Sequence, residues 1–511
     1  MTDKLPHSRG KESSEVILLA GKELEDAPLL FFHDMSALHV LDLSYTSVNS
    51  LPQSISRLNA LQKLILRGCD FLMELPPEIG ELTNLEVIDL EGTEIIYLPK
   101  EIAKLIKLSC LKVSFYRYAN KYQESKHTDT IIPSASLSNL SRLNELCIDV
   151  NPDGDWWDVE VKTIIHDLCS LRGLRTLKLY LPTTELLEEL IRDSPSLICP
   201  ALTHFRFIVG RQIERFLSCL PREVEEEFNN LEKSEKGLKY VNGEGIPIEI
   251  IEVLKHANAF SLEHQLTVNN LFEFGLQNMD KLKFCFLVEC NELRTVIDAK
   301  QFYQEGDCEG DDSNESEQYS YFNEEKMVLG SLQYLSIHYM KNMESICQGS
   351  VGKGCLSNLK FLALHTCLSL TTIFTVGMLR NLANLELIVE DCTKISSLVD
   401  LKYSDSKSGH FLPNLKKILL LELPKLVSIS NGLCIAPKLE RMVIFFCPKL
   451  VKLSTMEVSS KDLKVIKGEN EWWGALKWHE SDLSSDHQDY LASVFVPLRR
   501  DGDLMAQFTK D

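Results

Sequence analysis

The chain has 511 residues, 44% of them hydrophobic and 8% aromatic, with 54 Lys and Arg against 74 Asp and Glu for a formal charge of −20. That apolar content excludes disorder as the state of the whole chain. The acidic balance excludes nucleic acid as the main partner, because phosphate contacts need clustered Lys and Arg that release counterions.

Residues 1–30 are read as an N-terminal flank. The opening MTDKLPHSRGKESSEVILLA reaches only a short apolar run after a polar start, too little for a signal peptide or a spanning helix, so no transmembrane segment and a cytoplasmic location are expected. From residue 31 the pattern L-x-x-L-x-L recurs at Leu38/Leu41/Leu43, Leu61/Leu64/Leu66, Leu85/Ile88/Leu90 and Leu108/Leu111/Val113, with starts 23, 24 and 23 residues apart. The first three continue to Thr46, Cys69 and Thr93 and then to Leu51-Pro52, Leu75-Pro76 and Leu98-Pro99. This is a leucine-rich repeat. A short strand turns alternate Leu inward, a small polar or thiol residue tucks under the turn, and the rest returns along the other side; no repeat folds alone. The expected fold is therefore an α/β solenoid, curved, with parallel strands on the concave face and irregular or short helical returns on the convex face.

The first run of repeats, 31–220, continues at Leu143/Leu146/Ile148, Leu174/Leu177/Leu179 and Leu202/Phe205/Phe207, with longer returns read as holding helical turns. Residues 221–264 carry an acidic stretch, then Gly243, Gly245 and Pro247, then an apolar-periodic run from Ile248 to Phe260, and are read as an irregular, partly helical insert. Repeats occupy 265–300 and 327–455, often with Cys at the ninth place: Cys290, Cys367, Cys392 and Cys447, with Met340 and Leu423 as substitutes. The 15 cysteines include no C-x-x-C pair, so buried free thiols in a reducing compartment are expected rather than disulfides, zinc or redox sites. Residues 301–326 hold nine Asp or Glu against one Lys and are read as a disordered acidic loop, either a tolerated insertion or, through Ser313, Ser316 and Ser320, a docking or phosphorylation segment. Residues 456–511 are read as a cap and tail, with Trp472, Trp473 and Trp478 covering the open end of the solenoid.

These 511 residues hold no phosphate-cradling G-x-x-x-x-G-K-[ST], no H-E-x-x-H and no G-x-S-x-G elbow, so no catalytic, cofactor-binding or metal-ligating residue is assigned and no enzyme is expected. His33-Asp34 reads as a turn. What remains is the strand face, where residues alternating with the inward Leu meet a partner. At one end these are charged: Lys63, Arg67, Asp89 and Glu91. At the other they are aromatic, with His and Arg among them: Phe284, Phe286, Tyr334, His338, Phe361, His365, Arg441 and Phe445. Exposed aromatic stretches of this kind look like interface anchors; the alternative is that the rings pack on each other or under the acidic loop.

The segments SLPQSI, ELPPEI and YLPKEI resemble the repeats of plant intracellular disease-resistance proteins of the coiled-coil, nucleotide-binding, leucine-rich-repeat type. FFHDMSALHVLDLSYTSVNSLP looks like the first regular repeat of that family, VIKGENEWWGALKWHESD like the tail after its last one, and GLKYVNGEGIPIEIIEVLKHANAFSLEHQLTV like a stretch within its repeat domain. The resemblance covers only the family's C-terminal repeat region and carries over no nucleotide-contacting residue. It implies protein-protein recognition in defence against pathogens, by the sensing and autoinhibitory repeats of an immune receptor. The implied partners are proteins: a nucleotide-binding module, a pathogen effector or a guarded host protein. Two rivals are a stand-alone repeat adaptor and a ubiquitin-ligase substrate receptor, the latter needing an F-box-like helical module for which residues 1–30 are too short. Oligomeric state is left open.

Overall fold

The first, fourth and sixth places of each repeat are sealed from water: Leu38, Leu41, Leu61, Leu64, Leu85 and Ile88 have no exposed surface and Leu43 has 2%. At ~1.5–3 kcal/mol per buried aliphatic side chain, this ladder is what drives the coil to stack. The computed structural model describes residues 16–18, 32, 35–115, 131–150, 156–194, 201–211, 236–298, 328–349, 354–382, 384–400, 410–453, 462–477, 485–499 and 507–508. The acidic 301–326 segment with its serines, His33-Asp34 and Trp478 lie outside the described residues.

Residues 1–214 form one compact unit and 215–511 a second. In the first, eight parallel strands pair in chain order: β1 Val16–Leu18, β2 Val40–Asp42, β3 Lys63–Ile65, β4 Val87–Leu90, β5 Cys110–Phe115, β6 Glu145–Val150, β7 Thr176–Leu181 and β8 His204–Val209. The register is constant, Val40 beside Lys63 beside Val87 beside Cys110 beside Glu145, so equal places in successive repeats line up in rows. The Leu-Pro steps set the returns. Pro52, Pro76 and Pro99 each stand before a 3-10 turn, Gln53–Arg57, Pro77–Glu81 and Lys100–Lys104, with the proline carbonyl accepting from Ile55, Ile79 or Ile102 at 2.9–3.0 Å. The later returns are the helices Trp157–Leu168 and Thr184–Asp193. Trp157 is fully buried and donates its indole N–H to the Tyr180 carbonyl at 2.9 Å.

The second unit repeats the plan. Its open-face strands are β9 Lys236–Val241, β10 Ala259–Glu263, β11 Phe284–Val288, β13 Tyr334–His338, β15 Phe361–His365, β17 Glu386–Glu390, β20 Lys417–Leu421, β22 Arg441–Phe445, β23 Val465–Gly468 and β24 Phe495–Pro497, again parallel and in register. Here the returns also build back ladders, pairing β12 Thr295–Asp298 with β14 Ser345–Gln348, β16 Phe374–Thr375 with β18 Val399–Asp400, and β19 His410–Phe411 with β21 Cys434–Ile435. β-branched residues such as Val296, Ile297 and Ile346 favour that extended return over a helix.

The boundaries expected from the sequence shift in three places. Residues 236–264 are not an irregular insert but regular strands β9 and β10 with the helix Ile248–Leu254 between them; the anchors there are Leu238, Tyr240, Ala257, Phe260 and Leu262, and too few are Leu for the pattern to show. The flank supplies β1. Beyond residue 455 the sheet continues through β23 and β24.

One regularity has no Leu-like signature. In eleven repeats, though not in those starting at Leu108, Leu143, Leu174 and Leu202, the residue seven places after the start is left-handed, with φ from +48° to +75° at Tyr45, Gly68, Gly92, Asn242, His264, Glu289, Tyr339, Thr366, Asp391, Glu422 and Phe446. Only two are glycine, and the others carry ~1–2 kcal/mol of strain each. The strand must leave the sheet sharply there, and the turned N–H is caught by the next strand: Tyr45 by the Arg67 carbonyl at 2.7 Å, Thr366 by Glu390 at 3.0 Å, Glu422 by Phe445 at 2.8 Å. At Phe446 the Glu469 carboxylate accepts instead, at 2.9 Å.

Among the described residues no helix is long and apolar enough to cross a membrane.

Candidate functional site

The ninth-place residues are built into the core by hydrogen bonds, the thiols reaching to the repeat before. The Cys69 thiol donates to the Leu43 carbonyl at 3.1 Å, Cys290 to Leu262 at 3.3 Å and Cys447 to Leu420 at 3.5 Å; Thr46 and Thr93 bond their own strand ends, to Leu43 at 2.7 Å and Leu90 at 2.8 Å. Burial pushes the Cys290 and Cys447 thiols up to about 12, and the Cys392 contact together with burial raises Cys367. At pH 8 a thiol at 12 is ~10⁻⁴ thiolate, so nucleophilic chemistry is quenched. A brief maleimide treatment of the native chain is expected to label exposed Cys169 and to leave Cys290 and Cys447 unlabelled in a peptide map until denaturant is added. Labelling of Cys290 at the Cys169 rate would contradict their placement. Among the described residues no group of three His, Cys, Asp or Glu is arranged to hold a metal.

The open face of the first unit is a charged network. Arg67 donates to the Asp89 carboxylate from both Nε (3.2 Å) and Nη2 (2.9 Å) and reaches Glu91 at 2.6 Å. Lys178, on β7 three strands beyond β4, meets Asp149 at 2.9 Å and Glu91 at 3.8 Å, and Lys112 meets Glu145 at 2.8 Å. Asp42 and Asp89 also accept from the main chain two residues ahead, at Ser44 and Glu91. Partial burial pulls Arg67 down, but its bond to Asp89 and the charges of Asp89 and Glu91 outweigh that and hold it above its ordinary value. Sequence reading found Arg67, Asp89 and Glu91, which the structure brings together. It missed Lys112, Glu145, Asp149 and Lys178, which the same period-two rule finds once applied to β5, β6 and β7. Lys63 lies one row away, exposed.

In the second unit the aromatic side chains pack on each other, the alternative to an exposed aromatic surface. Phe284, Phe286 and Phe361 are only 4–5% exposed, packed with Ala259, Val288 and Ala363 and flanked by half-buried Tyr334, Tyr339 and Ile388. Phe284 stacks on Tyr334 at 6.1 Å between centroids, Tyr334 meets Phe361 at 6.3 Å, and Phe286 meets His338 at 5.1 Å. In-register strands ~4.8 Å apart set ring beside ring, so the rings cover one another. His338 is 1% exposed; its Nε2 lies 2.7 Å from Ser336 Oγ, and burial with the nearby His365 lowers it to about 3, so it stays neutral. His365 Nδ1 approaches Glu390 at 3.2 Å. Arg441 is 5% exposed because the C-terminal segment covers it, Nη2 donating to the Phe508 carbonyl at 2.6 Å, and Phe445 packs against the Phe508 ring at 5.7 Å.

A family model described as a leucine-rich repeat region matches residues 16–294, more than half of the chain. The chain belongs to the leucine-rich-repeat family. A second model, the leucine-rich repeats of RPS2-like plant disease resistance proteins, matches these repeats at 247–393 and 331–467. A disease resistance protein of Arabidopsis thaliana is 25% identical over 97% of this chain and 46% of its own length. A putative one from the same plant is 27% identical over 82% of this chain and 34% of its own, and the TMV resistance protein N of Nicotiana glutinosa is 36% identical over 21% of this chain and 10% of its own. The leucine-rich repeats here are thus similar to those of plant disease-resistance proteins, and the chain spans less than half the length of these relatives.

Proposed function

We propose that these repeats are the sensing and autoinhibitory region of an intracellular plant immune receptor of the coiled-coil, nucleotide-binding type: a non-enzymatic, cytoplasmic module that binds proteins. The observation that carries the reading is the half-buried ion-pair network of Arg67, Asp89, Glu91, Asp149 and Lys178 on repeats like those of disease resistance proteins. Such a face, charged with both signs at fixed spacing, selects a protein surface of complementary pattern and gives nothing to a small molecule. The partner is the receptor's own nucleotide-binding module, held in its resting state, with an effector or a guarded host protein as the signal that releases it.

The native transcript, read upstream of Met1 in the same frame, tests this. Continuation into a G-x-x-x-x-G-K-[ST] module is expected. A stop codon ahead of Met1 would return the repeats to the stand-alone adaptor reading.

A further inference from the structure

The charged face of the first unit leaves the far strands of the second unexplained. Over β20 and β22 the open face is aliphatic, and it is not filled from within the rows as the Phe284–Phe361 region is. Leu419, Leu421 and Val443 are closed off by Phe508, with Ile388, Phe445 and Leu498 around the ring. Two cations at the rim take the main chain of the same segment: Lys467 Nζ donates to the Gln507 carbonyl at 2.8 Å and Arg441 Nη2 to the Phe508 carbonyl at 2.6 Å. An apolar seat strips main-chain carbonyls of water, so cations placed there supply the donors they would otherwise lose.

The contacts on the groove are one aromatic ring and two main-chain carbonyls. The ring fills an apolar seat and the cations take main chain, as in a site that reads peptides by shape and backbone. The segment is also fastened outside the groove: the Gln507 side chain accepts from the Arg499 N–H at 2.7 Å and donates to the Arg499 carbonyl at 2.9 Å.

We propose that the groove bounded by Leu419, Leu421, Val443, Phe445, Arg441 and Lys467 is a binding site for a partner protein that presents an aromatic side chain flanked by main-chain carbonyls open to the two cations, and that the chain's own Gln507–Phe508 occupies it as an internal competitor. This goes beyond the proposed role in immunity and stands whether or not that role holds. A short tether holds such a competitor at an effective concentration of ~1 mM, so a tail with a dissociation constant of ~100 µM lowers a partner's apparent affinity roughly tenfold.

The test uses the full chain and a fluorescein-labelled peptide of residues 502–511, GDLMAQFTKD, titrated by anisotropy. Gln507→Ala cuts the fastening to Arg499 without entering the groove, and Phe508→Ser empties it. Both are expected to bind the peptide about tenfold more tightly than the unmodified chain. Adding Arg441→Ala to the Gln507→Ala variant should remove the gain, and the peptide with Ser in place of Phe508 should not bind. Should Phe508→Ser fail to fold, the Gln507→Ala pair decides alone. Peptide binding equal in unmodified and Gln507→Ala chains, no binding to either, or equal binding of the Ser peptide would each overturn the proposal and leave Phe508 as core.

Discussion

Trp472→Ala is expected to destabilise the C-terminal end of the repeats by ~3–5 kcal/mol, the range for truncating a buried aromatic. Trp472 is 5% exposed, its ring fills the space where Gly468 has no Cβ, and its indole N–H donates to the Leu450 carbonyl at 2.8 Å. The substitution opens a cavity and strips that carbonyl of its donor at once. Trp472 also stands edge-on to Trp473 at 6.0 Å, which in turn stacks on Phe495 at 4.2 Å, so the indole joins the helix Asn470–Gly474 to β24. Because a solenoid is held by nearest-neighbour contacts, the loss should fray inward from β24 and β23 before it reaches β17. Hydrogen exchange should show faster opening at 465–468 and 441–445, with a melting temperature lower by roughly 5–10 °C. Half-buried Trp473 should cost less when truncated. An unchanged melt for Trp472→Ala would place the ring outside the cap.

Much of this architecture is legible in the sequence, because the strand's need for buried Leu and the return's need for Leu-Pro both leave periodic marks. Leu38 to Val113 and Pro52, Pro76 and Pro99 show it directly. Legibility fails where a different residue does the same job. Ala257, Phe260 and Leu262 anchor a repeat as well as three leucines would, since the core asks for volume and not for a residue type. The left-handed turns fail to show for a related reason: at Tyr45, Thr366 and Phe446 the cost of positive φ is offset by a bond to the next strand or to Glu469, so no glycine is required. Period two finds the open-face residues in both units but cannot say which are covered. Phe284 and Phe361 are each covered by Tyr334 on the strand between them, a property of register. Phe508 covers Val443 from 65 residues away, and no local pattern encodes that contact.

Reversing the network of the first unit is expected to have the largest effect on recognition. Arg67 and Lys178 both reach Glu91, one from each side, at 2.6 and 3.8 Å. Replacing both by Glu would gather Asp89, Glu91, Asp149 and the two new carboxylates on one face. The side chains of Arg67 and Lys178 are 33% and 15% exposed, so solvent screens part of the change at Arg67 but little at Lys178, and the fold should lose a few kcal/mol. A partner built to match alternating signs instead meets uniform negative charge, and like-charge juxtaposition at an interface costs several kcal/mol. The decisive measurement is calorimetric titration of this chain with the nucleotide-binding module that the proposed function expects upstream in its transcript, both expressed as separate chains at ~0.15 M salt. The account predicts saturable binding by the unmodified repeats and at least a hundredfold weakening by Arg67→Glu with Lys178→Glu, with both chains folded by circular dichroism. Equal affinity for the two, or none for the unmodified chain, would contradict it.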